Sequence, residues 1–206
     1  MTLQGRIFIA RHGETVFNAA KRMQGDTLDT PLTRTGFAQA DAMGAALANW
    51  LGTRQTLALF SSPSGRALQT LAIIAEHIGA DWHTAAQDKR LQEIDVGDWA
   101  GRTYAEIMAD QGEIIDPHIA LFRIRPPGGE WYDEIATRLQ DWIDDTAHIH
   151  GDRLVIMHGM SSRVLRGLLL GLPVDPHWKA PIAPSLPQGT IVMIGNGEEK
   201  IIGRPQ

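Results

Sequence analysis

Two histidines in this sequence stand where an apolar run ends and a glycine follows: "IFIARHGETVFN" (Ile7 to Asn18) and "RLVIMHG" (Arg153 to Gly159). The first has Arg11 directly beside His12, and a third apolar run, "TLALFSSP" (Thr56 to Pro63), is followed one turn later by Arg66. Two guanidinium and two imidazole groups gathered in one place repel one another unless an anion lies between them. The matching guest is a phosphate, which carries about −1.5 to −2 charge near neutrality and takes forked hydrogen bonds from guanidinium. The same cradle contains a nucleophile, because a neutral imidazole can attack phosphorus. Gly13 and Gly159 read as places where backbone N–H donors come close to the bound group.

That chemistry requires elements that bring distant residues together. Arg6 to Ala10 reads as a buried strand stopped by Gly13. Thr33 to Leu51 reads as a helix with Thr33 as N-cap and Phe37, Ala40, Gly44, Leu47 and Leu51 along one face. Thr56 to Pro63 repeats the strand, followed by the helix "SGRALQTLAIIAEHIG" closed by Gly79, and Asp152 to Gly171 repeats the unit a third time. Three strand-to-helix units predict parallel strands with crossover helices: an α/β chain, a three-layer α/β/α sandwich with a mostly parallel sheet. Ligands of open α/β sheets bind beyond the carboxyl ends of the strands, which is where Arg11, His12, Arg66, His158 and Gly159 fall.

The stretch 97–128 has a different rhythm, with a helix from Thr103 to Gln111 and a Pro/Gly breaker, "FRIRPPGGE" (Phe122 to Glu130). It is read as a small helical insertion over the active site, within a single domain spanning 1–206. Trp131, Ile135, Leu139, Trp142 and Ile143 then line one face of a further helix. Pro173 to Pro187, with five of the eleven prolines, reads as an irregular loop, and Asn196-Gly197 as a type I′ hairpin turn.

Composition narrows the function. Hydrophobic residues make up 43% of the chain and the net charge is −5, values of an ordinary globular protein. No basic stripe suits nucleic acid, and no apolar window is long enough to span a membrane. Without cysteine, thiolate catalysis and disulfides are excluded. The N-terminus, charged too early for a signal peptide, gives a cytoplasmic expectation. His148 and His150 form an H-x-H near a helix end and are read as complementing its dipole, so no metal is expected, nor any cofactor. No feature of the sequence sets an oligomeric state.

"RHGETVFN" followed by "RMQG", "SSPSGRALQT", "LQEIDVGDWAG", "PGGE" and "VIMHG" resembles, in order, the motif series of the histidine phosphatase superfamily, which contains the cofactor-dependent phosphoglycerate mutases and related phosphatases. The resemblance runs from about Arg6 to Gly159. It implies His12 as the phosphorylated nucleophile, with Arg11, Arg66 and His158 on the phosphoryl oxygens, helped by Asn18 and Thr15. It places Gln24 and Gly25 by the leaving group and Glu93 as the proton donor. The sequence departs from the series at Trp131, where relatives commonly have Ser, and at Ala100, where Glu is frequent.

The expected activity is metal-independent hydrolysis of a small phosphomonoester. Mutase-type phosphoryl transfer is the alternative, but mutases carry a longer insertion with a paired Arg-Arg and an aromatic residue, where this chain has only Arg123 and Arg125. Two more distant alternatives are a serine esterase built on "HGMSS" (His158 to Ser162) and a non-catalytic phospho-ligand module.

Overall fold

The computed structural model describes residues 5–52 and 56–203; the first four residues, on which the N-terminal reading partly rests, lie outside the described residues. Strand β1 (Ile7–Arg11) leads through a short turn of helix, α1 (Val16–Ala19), into α2 (Arg34–Leu51). Strand β2 (Ala58–Ser61) leads into α3 (Gly65–Ile78), then β3 (Ala86–Gln87), α4 (Tyr104–Gln111) and α5 (Tyr132–Thr146). Strand β4 (Arg153–Met157) leads into α6 (Gly159–Leu169), a ribbon of β5 (Val174–Asp175) and β6 (Ala180–Pro181), and the hairpin β7 (Ile191–Gly195) with β8 (Glu198–Gly203).

The main sheet runs β3-β2-β4-β1-β7-β8, parallel across its first four strands and antiparallel across its last two. Side chains alternate across a strand, so each strand serves two cores. Phe8, Ala10, Leu59, Leu154 and Ile156 pack with Met43 and Leu47 of α2 and with Leu71 and Ile74 of α3. Ile7, Ile9, Phe60, Val155 and Met157 face the other way, onto α5, α6 and the apolar residues of 91–122. Burial on both faces is why β1 and β4 read as unbroken apolar runs. The result is the expected sandwich of helix, sheet and helix.

Local signals act as read at several ends. The Thr33 side chain accepts the Gly36 N–H, and Gly79 closes α3 in the left-handed region at φ 64°. Asn196 and Gly197 have φ of 53° and 77°, the two positive angles a type I′ turn needs. Other expectations are corrected. Phe37 is 46% exposed, because the buried face of α2 starts at Gly36, where an added Cβ would lie 2.1 Å from the Glu14 carbonyl oxygen. That contact rotates the next residue toward solvent. Trp131 is only half-buried, edge-on to Tyr132 and His177, since it precedes α5 in extended backbone and so is off its apolar stripe. The Pro173–Pro187 segment is not wholly irregular, for it carries the β5–β6 ribbon. The segment 97–128 carries the expected helix, α4, and is anchored by Trp99, Ile107, Ile114, Leu121 and Phe122, fully buried in the core on the α5–α6 side.

Candidate active site

The carboxyl ends of β1, β2 and β4 deliver the basic residues to one place. His12 follows β1, and its N–H bonds to the Met157 carbonyl at the end of β4 at 3.0 Å. Its ring Nδ1 lies 2.7 Å from the Gly13 carbonyl oxygen. Only an N–H can satisfy a carbonyl, so Nδ1 carries the hydrogen and Nε2 keeps its lone pair. Burial first, and then the charges of Arg66 and Arg11, push the His12 pKa well below the ordinary imidazole range. Desolvation thus does more than the two arginines to keep this ring neutral.

His158, which follows β4, meets His12 edge to face with ring centroids 5.1 Å apart. Arg66 Nε donates to its Nδ1 at 3.3 Å, which leaves the ring hydrogen on Nε2, 3.5 Å from Ser64 Oγ. Burial, followed by Arg66, also depresses the His158 pKa. The Arg66 guanidinium is itself fully buried and bonds to the Gly25 carbonyl at 2.7 Å, to Thr30 Oγ1 at 3.0 Å and to the Thr27 carbonyl. Burial lowers its pKa to about 10, which still leaves it charged at neutral pH. Arg11 differs: its Nε is buried with no hydrogen-bond partner. A buried guanidinium N–H without an acceptor is a donor waiting for an anion.

The two glycines have reasons other than the one read from the sequence. A Cβ at Gly13 would lie 2.2 Å from the Gly36 carbonyl oxygen, so this glycine lets the His12 loop press against α2. A Cβ at Gly159 would lie 3.0 Å from Arg11 Cζ, so that glycine makes room for the guanidinium.

Thr15 is wholly buried and caps α1; its Oγ1 donates to Gln24 Oε1 at 2.6 Å and accepts the Asn18 N–H at 3.1 Å. Asn18 Oδ1 accepts the Thr15 N–H at 3.1 Å and Gln188 Nε2 at 2.9 Å. With its oxygen occupied, Asn18 has its Nδ2 hydrogens left to offer. Glu93 accepts N–H bonds from Met160 at 3.0 Å and Ser161 at 2.8 Å, at the start of α6. Helix N-termini leave such N–H groups unpaired, and their donation fixes the Glu93 carboxyl group two residues beyond His158.

A cavity of about 260 Å³ opens over these groups, with Arg11, His12, Asn18, Gln24, Gly25, Glu93 and Gly159 in its wall. Arg66, His158 and Thr15 stand behind that wall and hold its members through the contacts above. Reasoning from sequence missed Tyr104, Arg163 and Gln188. Tyr104 lines the cavity, and burial raises its hydroxyl pKa. Gln188 Nε2 reaches the His12 carbonyl at 3.4 Å besides holding Asn18. No local pattern marks a single glutamine in a proline-rich loop as part of a site.

Comparison with known proteins gives the family. The chain is 35% identical over 183 residues to a glucosyl-3-phosphoglycerate phosphatase of Mycolicibacterium vanbaalenii, covering 82% of this chain and 76% of that one. It is 32% identical over 171 residues to a probable phosphoglycerate mutase, GpmB, of Yersinia pestis, with the same coverage of 82% and 76%. Its fold superposes on a mycobacterial glucosyl-3-phosphoglycerate phosphatase solved in complex with VO3, with a TM-score of 0.76 and 25% identity over 97% of this chain and 98% of that one. The sequence profile of the histidine phosphatase superfamily (branch 1) matches residues 7–201, the span that carries every cavity residue named above. On fold, motif order and profile together, the chain belongs to branch 1 of the histidine phosphatase superfamily.

Proposed function

We propose that this protein is a metal-independent phosphomonoesterase that hydrolyses a small phosphorylated metabolite through a phosphohistidine at His12. The observation that carries the reading is the pairing of a lone pair on His12 Nε2, fixed by Nδ1 on the Gly13 carbonyl, with the unpartnered Nε of Arg11. His12 Nε2 forms the P–N bond while the P–O bond to the leaving group breaks. Arg11 and Asn18 Nδ2 donate to the phosphoryl oxygens, with Arg66 supplying charge and His158 bracing the His12 ring from behind. Glu93 gives a proton to the departing alkoxide, near Gln24 and Gly25. The same carboxylate then takes a proton from the water that cleaves P–N, releasing phosphate. Glu93 also borders an outer cleft of about 370 Å³ with Asp26 and Glu130, a route by which water reaches it. The cytoplasmic expectation belongs to this reading.

The test is to trap phosphate on the protein with an aryl phosphate. The label should be acid-labile, absent from His12→Ala and indifferent to chelator; a label that survives His12→Ala removes the proposal. The likeness to GpmB supports a second reading, return of the phosphoryl group to phosphoglycerate. Isomerisation of phosphoglycerate with little phosphate release would establish it. The esterase alternative finds no support, since Ser161 Oγ is buried with no hydrogen-bond partner and so no base.

A further inference from the structure

The cavity wall outside the phosphate-binding residues carries its own chemistry. From the stretch 104–122 the cavity receives Tyr104, Ile115, Ala120 and Phe122, and no charged side chain. Met23, Ile94 and Val96 face it from other segments. Of the cations outside the phosphate end, Arg163 donates to the carbonyls of Ala183 at 2.8 Å and Ile119 at 2.6 Å, while exposed Arg22 gives one nitrogen to the Gly101 carbonyl at 2.7 Å; Ser185 and the Tyr104 hydroxyl are the wall's other polar groups there. Hydroxyl or carboxylate groups pressed on the part formed by Ile115, Ala120 and Phe122 lose water and gain few partners.

Ala120 adds an independent sign. Its φ of 54° lies in the left-handed region, which a residue with a Cβ adopts at a cost and glycine adopts freely. Its N–H bonds to the Asp116 carbonyl at 2.8 Å, and Arg163 clamps the preceding carbonyl, so the turn is held against that cost. The chain thus keeps a methyl group where glycine would be easier, at a position in the cavity wall. The volume of about 260 Å³ corresponds to about nine waters, room for a phosphoryl group and a compact remainder.

We infer that the substrate's leaving group is compact and presents an apolar face, aryl or alkyl, to Ile115, Ala120 and Phe122, unlike a polyol or a carboxylated sugar acid; this rests on the phosphatase reading above. The experiment compares benzyl phosphate with glycerol 3-phosphate and 3-phosphoglycerate, all esters of primary alcohols. The purified protein should favour benzyl phosphate by at least about tenfold in kcat/KM, the scale on which apolar pockets discriminate. Ala120→Gly should melt at or above the parent temperature and shrink that ratio at least threefold, by about the loss of one methyl contact. Ile115→Asn should shrink it further. A ratio below one, or one that neither substitution moves, overturns the inference while the phosphohistidine label leaves the phosphatase reading standing. No hydrolysis and no label overturns both.

Discussion

Phosphoryl transfer by a histidine needs a neutral ring, and His12 obtains one chiefly by leaving water. With an aryl phosphate, kcat/KM should therefore persist below pH 6, where an exposed imidazole has already protonated. A fall with an apparent pKa near 6.5 would show a solvated ring. Removing Arg11 or His12 should reduce kcat/KM more than Glu93→Gln, because general acid help is worth about 10²–10⁴ while charge stabilisation carries most of the rest. Near-equal losses across the three would reverse that ranking. Gln188→Glu sets a carboxylate oxygen against the His12 carbonyl and Asn18 Oδ1, two acceptors with nothing to donate. Inhibition by inorganic phosphate should weaken by at least about tenfold, with a smaller loss for Gln188→Ala. Arg11, His12, Arg66 and His158 were legible because each follows an apolar run whose end the topology fixes. Tyr104 and Gln188 were not, because they reach the site from segments whose paths no local pattern sets; Arg163 sits on the helix that was read, α6, where an arginine among apolar residues carries no mark of the cavity it lines.

At the scale of elements, the two His-Gly pairs look alike in sequence and do different work. Gly13→Ala drives a methyl into the α2 backbone at 2.2 Å and should lower stability by about 1–3 kcal/mol in a denaturant titration. Gly159→Ala meets the flexible end of Arg11 at 3.0 Å instead. Its melt should stay close to the parent's while phosphate binding weakens. The reverse pattern would mean that these roles are exchanged. Strands and caps were readable because unbroken apolar runs, Thr33 and Gly79 are local facts. The orientation of Phe37 and the position of Trp131 were not, since a backbone contact at Gly36 and the onset of α5 set them from outside their own stretches.

For the whole molecule, two buried neutral imidazoles link folding to acidity. Both folded pKa values lie below the ordinary one, so below about pH 6.5 the unfolded chain binds protons that the native chain refuses. Stability should be full above that pH and fall as acid is added, by up to about 1.4 kcal/mol per pH unit for each ring. Melts between pH 8 and pH 5 measure it, and a flat profile would mean that the rings are not desolvated. Phosphate at a hundred times its Kd should add about 2.7 kcal/mol at neutral pH. The strand order has a consequence for synthesis as well. Strand β4 lies between β1 and β2, so the two earlier strands never touch and their sheet has a vacant middle until residue 157 has left the ribosome. A nascent chain therefore holds no half-built catalyst: the machinery is completed in one late insertion, and prematurely terminated products should be inert and prone to chaperone capture.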